Sequence, residues 1–301
     1  MKIKLLAACL LSCLTIAACS QSDTTKQQET QTIAASSTHV ANTATAEAVN
    51  HNPDWPSYLA TTDATNAPYE LHDTKGGIIG FDADLIQAIA KQEQFNVQII
   101  SQPWDGIFKS LNSNQNHILI APLTITPERS EQVTFTIPYI YPTRTAYLLP
   151  ETAERLGIRD YADLPKASSI AAKGKTTNVS SLEADFGAEN LKIKGMDSQY
   201  LAFADMIRKQ SDVAFGDTAV LQYHATSVKD TNFVKIEQPL KIPVEAGFAV
   251  KKGNTELAAK LNSGLKKVVV NGEYRRIAIK WFGEDLGNKI ANTTEAHMKI
   301  K

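Results

Sequence analysis

Cysteine is scarce in this 301-residue chain, and its three copies, Cys9, Cys13 and Cys19, all lie at the amino-terminal end. Beyond Cys19 the sequence therefore has no internal disulfide, no cysteine nucleophile and no thiolate zinc site. Residues 20–50 lack glycine, proline, Phe, Trp and Tyr, and are rich in Thr, Gln, Ala and Ser. Such a stretch buries too little apolar surface to offset its ordering entropy, so it is expected to be a disordered tether of roughly 30 Å span. A helix over residues 38–49 would have no apolar face to pack. Neither sign of charge dominates, with 31 basic and 32 acidic residues, so composition gives no reason to expect nucleic acid as a partner. The six histidines, His39, His51, His72, His117, His224 and His297, show no metal spacing, and no Gly-x-Ser-x-Gly is present. No metal or cofactor is implied.

What is present begins with a targeting segment. Lys2 and Lys4 form a positive start, and residues 5–18 are a short apolar run, too short to span a membrane. The run ends in Ile16-Ala17-Ala18-Cys19, which resembles a bacterial lipoprotein processing site. That resemblance implies cleavage before Cys19 and acylation of its thiol. The plainer reading is a soluble secreted protein cut after Ala18. Leu6-Ala7-Ala8-Cys9 has too little apolar chain ahead of it to serve. Removal of Lys2 and Lys4 leaves 29 basic and 32 acidic residues, a net charge of −3.

The folded part is expected from about Pro53. Strand patterns alternate with helical ones, which argues an α/β protein with partly parallel sheets and enough length for two lobes. Residues 58–62, 97–100, 117–121, 133–137, 145–149, 169–172, 213–217, 233–236 and 245–250 read as strands. Asp82 is read as the cap of a helix stapled by Phe81 and Ile86, Asp105 as the cap of a short helix, and Asp197 as the cap of a third. Gly174-Lys175-Thr176 is not a phosphate loop, because Ser169 stands where that motif needs its first glycine.

The most informative stretch is Leu123-Thr124-Ile125-Thr126-Pro127-Glu128-Arg129. Thr126 suits a helix N-cap, Pro127 the first helical turn, and Glu128 the positive helix end. Arg129 adds a planar fork that fits a carboxylate bidentately. The arrangement is a candidate site for a small carboxylate; otherwise it is an ordinary strand-to-helix turn with a surface arginine.

Gly80-Phe81-Asp82-Ala83-Asp84-Leu85, then Pro103-Trp104-Asp105-Gly106-Ile107-Phe108, then the Leu123–Arg129 stretch, occur in an order that resembles the periplasmic amino-acid-binding proteins of ABC transporters. The resemblance runs from about Asp63 to Gly283. It implies a type II periplasmic binding protein fold with a ligand cleft between two lobes joined by two crossing segments. It further implies that Arg129, with the Thr124 and Thr176 backbone, takes an amino acid's α-carboxylate, and that Thr176 and Thr177 form the turn that holds it. Asp217, helped by the Pro122 carbonyl, takes the α-ammonium. Trp104, Asn66, Tyr69 and Asp63 face the side chain. Asn66 departs from the family's usual tyrosine, Pro122 from a small residue and Lys175 from a glycine. Asp63 favours a basic or amide side chain. Lys173 and Lys175 are read as solvated lysines; if they enter the pocket they favour an acidic one. Each acid also has a plainer role, Asp63 as a turn residue and Asp217 as a helix cap.

The expected organisation is a signal peptide at 1–18, a lipidated Cys19 with a tether to 51, one lobe from 52–143 plus 243–287, a second from 144–242, and a tail at 288–301. The expected function is a monomeric lipoprotein, anchored in or at the periplasm, that delivers a polar or charged amino acid to an ABC permease. The alternatives are a dehydratase-like enzyme on the same fold, or a sensing or adhesion lipoprotein.

Overall fold

The computed structural model describes residues 51–300. The readings on the signal peptide, Cys19 and the tether up to residue 50 lie outside the described residues, as does Lys301.

The chain enters through β1 (Ser57–Thr62), then the short strands β2 (Thr65–Asn66), β3 (Glu70–His72) and β4 (Ile78–Ile79). α1 (Phe81–Glu93), β5 (Asn96–Ser101), α2 (Ile107–Asn112) and β6 (Ile118–Thr124) follow. α3 (Pro127–Gln132) and β7 (Val133–Phe135) lead to a first crossing at residues 136–143. β8 (Arg144–Leu148), α4 (Pro150–Leu156), β9 (Ile170–Lys173), α5 (Thr177–Phe186) and β10 (Ile193–Met196) come next. α6 (Gln199–Ile207), β11 (Val213–Asp217), α7 (Thr218–Thr226) and β12 (Val234–Glu237) complete the second half. After a second crossing at 238–245, β13 (Ala246–Lys251) and α8 (Thr255–Val270), α9 (Glu273–Phe282) and α10 (Glu284–Ile300) close the chain.

Two five-stranded sheets result. The first has the order β5-β1-β6-β13-β7, the second β10-β9-β11-β8-β12. In each, the strand that arrives by a crossing runs antiparallel to its neighbours: β13 against β6 and β7, β8 against β11 and β12. The other pairings, β1 with β5 and β6 and β9 with β10 and β11, are parallel and need helices on the sheet faces. α1 supplies such a face with Phe81, Leu85, Ile86 and Ile89, all fully buried. Each such side chain contributes about 1.5–3 kcal/mol of transfer free energy. The crossings lie side by side, with Ile140 and Ala246 exchanging backbone hydrogen bonds of 3.5 and 3.0 Å.

Three caps differ from the sequence reading. α1 begins at Phe81 behind Gly80, whose φ is +137° and whose added Cβ would lie 2.1 Å from the Tyr69 carbonyl oxygen. This close approach requires glycine and draws Asp82 inside the fold, where it is fully buried and caps nothing. α2 is capped by left-handed Gly106, while Asp105 turns outward. α6 is capped by Ser198, whose Oγ accepts from Leu201 N at 3.1 Å, one residue beyond Asp197. The residues read as a tail beyond 287 instead continue α10. Leu286, Ile290 and Met298 on its inner face pack on the core beside buried Ala291 and Thr294. That near-fourfold spacing is the signal the reading passed over.

Candidate functional site

β6 ends at Thr124, and the chain turns as its residues dictate. Thr126 Oγ1 accepts from Arg129 N at 3.2 Å, and Pro127 opens α3. The Arg129 side chain folds back over this turn. Its Nη1 donates to Thr124 O at 3.1 Å, and its Cζ lies 5.9 Å from the centroids of both Trp104 and Phe108. One of its five N–H groups has an acceptor among the described residues. Burial, and then nearby Arg144, act to lower its pKa, with Glu128 opposing. A guanidinium stays charged regardless.

From the second sheet, β11 ends at Asp217, which caps α7. Its Oδ1 accepts from Ala219 N at 2.9 Å and Val220 N at 3.1 Å. The Tyr69 hydroxyl reaches the same carboxylate at 3.4 Å. Burial raises the Asp217 pKa to about 6, with the two amides and Arg144 opposing. β9 ends at Lys173. Thr176 caps α5 by accepting from Asn178 N and donating to Lys173 O at 2.8 Å. Lys175 holds a φ of +55°, the left-handed region that favours glycine. Thr177 Oγ1 lies 3.1 Å from Thr124 Oγ1 across the cleft.

Two ion pairs also cross the cleft. Lys173 Nζ lies 2.6 Å from Asp63 Oδ2, with both residues about 8 % exposed. Lys175 Nζ lies 2.5 Å from Asp105 Oδ2, and both of these side chains are solvent-exposed. Trp104 Nε1 donates to Lys175 O at 3.2 Å. The reading of two solvated lysines thus holds for Lys175 and fails for Lys173. Lys173 is the last residue of a buried strand, so its side chain projects into the cleft.

A cavity of about 90 Å³ lies between these groups. Nine of the ten ligand residues expected from sequence line it: Asp63, Asn66, Trp104, Pro122, Thr124, Arg129, Thr176, Thr177 and Asp217. Tyr69 does not line it. Its ring packs against Phe81 and Phe282 in the core, and only its hydroxyl touches the site, through Asp217. Trp104 was expected as a wall for a ligand side chain, but the chain's own cations stand over it, Arg129 and, at 5.4 Å, Lys173.

Glu70, Arg144, Asn178 and Gln199 also line the cavity and were missed. Arg144 carried a signal: a cation opening a strand that is buried throughout. It sits directly across the ladder from Asp217. Its Nε, Nη1 and Nη2 donate to Asn178 Oδ1 (3.0 Å), Gln238 Oε1 (3.4 Å) and Thr177 Oγ1 (3.2 Å), all neutral acceptors. Gln199 had no such signal; its amide fills the space that only Gly216 leaves open.

Glu70 leads below the cavity to Asp82 and Tyr139. Glu70 Oε2, both Asp82 oxygens and the Tyr139 hydroxyl are buried without a well-formed hydrogen bond. Burial raises the Glu70 pKa well above the carboxylate range, with Asp82 adding to it. Burial likewise raises Asp82, to about 8, against the facing Tyr139 and Glu70. Burial therefore works against the charged form of both carboxyls.

Two α/β lobes, two crossings and a polar cleft between them define a type II periplasmic binding protein. Residues 59–284 match the bacterial extracellular solute-binding proteins, family 3, and the chain belongs to that family. The arginine-binding periplasmic protein of Mannheimia haemolytica is 32% identical over 218 residues, which cover 72% of this chain and 87% of that one. The ABC transporter arginine-binding protein 1 of Escherichia coli K12 is 30% identical over 221 residues, 73% of this chain and 88% of that one. Among solved structures, an ancestral arginine-binding protein bound to arginine superposes with a TM-score of 0.67 at 28% identity, covering 75% of this chain and 98% of that one.

Proposed function

We propose that this chain is a substrate-binding lipoprotein that captures one polar or charged amino acid and hands it to an ABC importer. One observation carries the reading. A guanidinium with free N–H groups, on Arg129, and the Asp217 carboxylate line one small cavity from opposite lobes. They answer the two charges common to every amino acid. Thr124, Thr176, Thr177 and the Pro122 carbonyl supply the neutral polar atoms around them. The relatives, named as arginine-binding and, in one case, as an ABC transporter component, support the transport role. Cys19 would carry the lipid, with residues 20–50 as tether, and place the binding domain in the periplasm beside a membrane. The folded domain works as a monomer in this reading.

Glu70 favours a second reading, a dehydratase-like enzyme, because a protonated carboxyl at a cavity wall can act as a general acid. Incubating the protein with cyclic amino-acid precursors, as well as with the amino acids, and analysing the products by mass spectrometry separates the two: a binder returns each compound unchanged.

The binding reading is tested by a thermal-shift screen of the twenty amino acids, since a ligand that binds the folded state raises the melting temperature. Calorimetry then follows on Arg129→Ala and Asp217→Asn. Losing one partner of a buried charge pair costs about 2–5 kcal/mol, so each hit should weaken at least roughly thirtyfold. Tight binding by folded Arg129→Ala removes the carboxylate-site reading. For the anchor, Cys19→Ala should release the protein from membranes; if it still partitions with them, the anchor lies elsewhere.

A further inference from the structure

The charges that face this cavity do not balance around a simple zwitterion. Asp63 is already committed: Lys173 lies 2.6 Å from it, and both are buried. That pair fills the acid which a cationic ligand side chain would otherwise seek. Arg129 and Arg144 remain. Neither has a carboxylate within ion-pair distance among the described residues. Arg144 spends three of its five N–H groups on neutral oxygens, and Arg129 spends one. The two are near enough to repel. Of the acids lining the cavity, Asp217 is the one left to offset them, with Glu128 acting on Arg129 and Asp185 on Arg144 from outside it, and an α-ammonium would claim Asp217. An amino acid's α-carboxylate neutralises one guanidinium and leaves the other without a counter-charge inside the small cavity. Glu70 is a poor substitute, because burial and the neighbouring Asp82 push its carboxyl well above the usual carboxylate range.

We infer that the ligand carries a second carboxylate: the site takes an acidic amino acid, with Arg129 and Arg144 sharing its two carboxylates and Lys173 excluding basic side chains by occupying Asp63. This deepens the amino-acid-binding reading and rests on it. It also separates the chain from the relatives named for arginine. Specificity here is a difference of affinities, built from an attraction at Arg144 and an exclusion at Lys173.

The test is calorimetry of the full chain with L-glutamate, L-aspartate, L-glutamine, L-asparagine, L-arginine and L-lysine. Glutamate or aspartate should bind at least about tenfold tighter than its amide and than either basic amino acid. Arg144→Gln should abolish the preference of acid over amide, and Lys173→Met, by freeing Asp63, should raise the affinity for arginine or lysine relative to the acids. Circular dichroism checks that both variants fold, and the parent's selectivity decides the matter even if they do not. Tighter binding of a basic or neutral amino acid by the parent overturns the inference while the amino-acid-binding reading stands. Failure of all twenty amino acids to bind overturns both.

Discussion

Asp63 and Glu70 stand seven residues apart on the same wall of one cavity, yet their charges are handled in opposite ways. Asp63 meets a lysine that reaches across from the other lobe. Glu70 meets another acid, Asp82, beneath the cleft, and burial pushes both carboxyls up toward their neutral forms instead. The difference follows from what each faces. Asp63 follows the end of β1 at the cleft, where β9 can deliver a side chain from the opposite sheet. Glu70 lies against α1, drawn tight to the chain before β3 by Gly80, so that Asp82 is its strongest charged neighbour and Lys173, held by Asp63, acts on it only as an opposing field. A buried carboxylate needs a cation or a proton, and topology decides which is available.

The comparison breaks most severely at Lys173. Removing one partner of a buried pair typically costs about 3–5 kcal/mol, whereas replacing both with neutral groups of similar shape costs far less. Denaturant unfolding of Lys173→Met, Asp63→Asn and the double variant should therefore show a large loss in Lys173→Met and recovery of most of it in the double variant. Additive effects would mean the two groups do not act as a pair in solution.

The second prediction concerns the protonated acids. Asp82 has a folded pKa of about 8 against an ordinary value of 3.8. Protonation therefore favours the folded state. The resulting stability is complete below about pH 4 and is lost as pH rises through about 8, at up to about 1.4 kcal/mol per pH unit for the proton involved. Melting temperatures measured between pH 5 and 9 should fall less steeply for Asp82→Asn than for the parent. Parallel curves would show that Asp82 is ionised throughout. Lys175→Ala should matter least, because exposed ion pairs contribute about 0–1 kcal/mol. A melting shift as large as that of Lys173→Met would mean the two cross-cleft pairs are not distinct in kind.

Strand positions were legible because apolar runs bounded by turn residues mark them, and β11 was read to the residue. The Thr126 cap and Pro127 were equally plain. The cavity residues that were anticipated came from motifs at strand ends, where the fold must place its cleft. The residues that escaped depend on distant parts of the chain. Asp82 looked like a cap because its buried state follows from the passage of Tyr69 behind Gly80. Lys173 looked solvated because its partner is 110 positions away in sequence. Arg144 gains its place from a crossing, and nothing local says that Asp217 will lie opposite. Tyr69 was placed in the pocket by the resemblance, but it lies in the turn just before β3, where no strand alternation sets its face, and its ring turns into the core.

The first crossing is bonded at Ile140 to Ala246, where the second crossing enters β13, and so the two do more than connect. Two separate strings would let one lobe twist and slide on the other. A joined ribbon bends chiefly about one axis, like the spine of a book. Asp63 with Lys173, Thr124 with Thr177 and Trp104 with Lys175 are then three clasps on facing pages. A hinge of that kind would bring the three together in one closing motion.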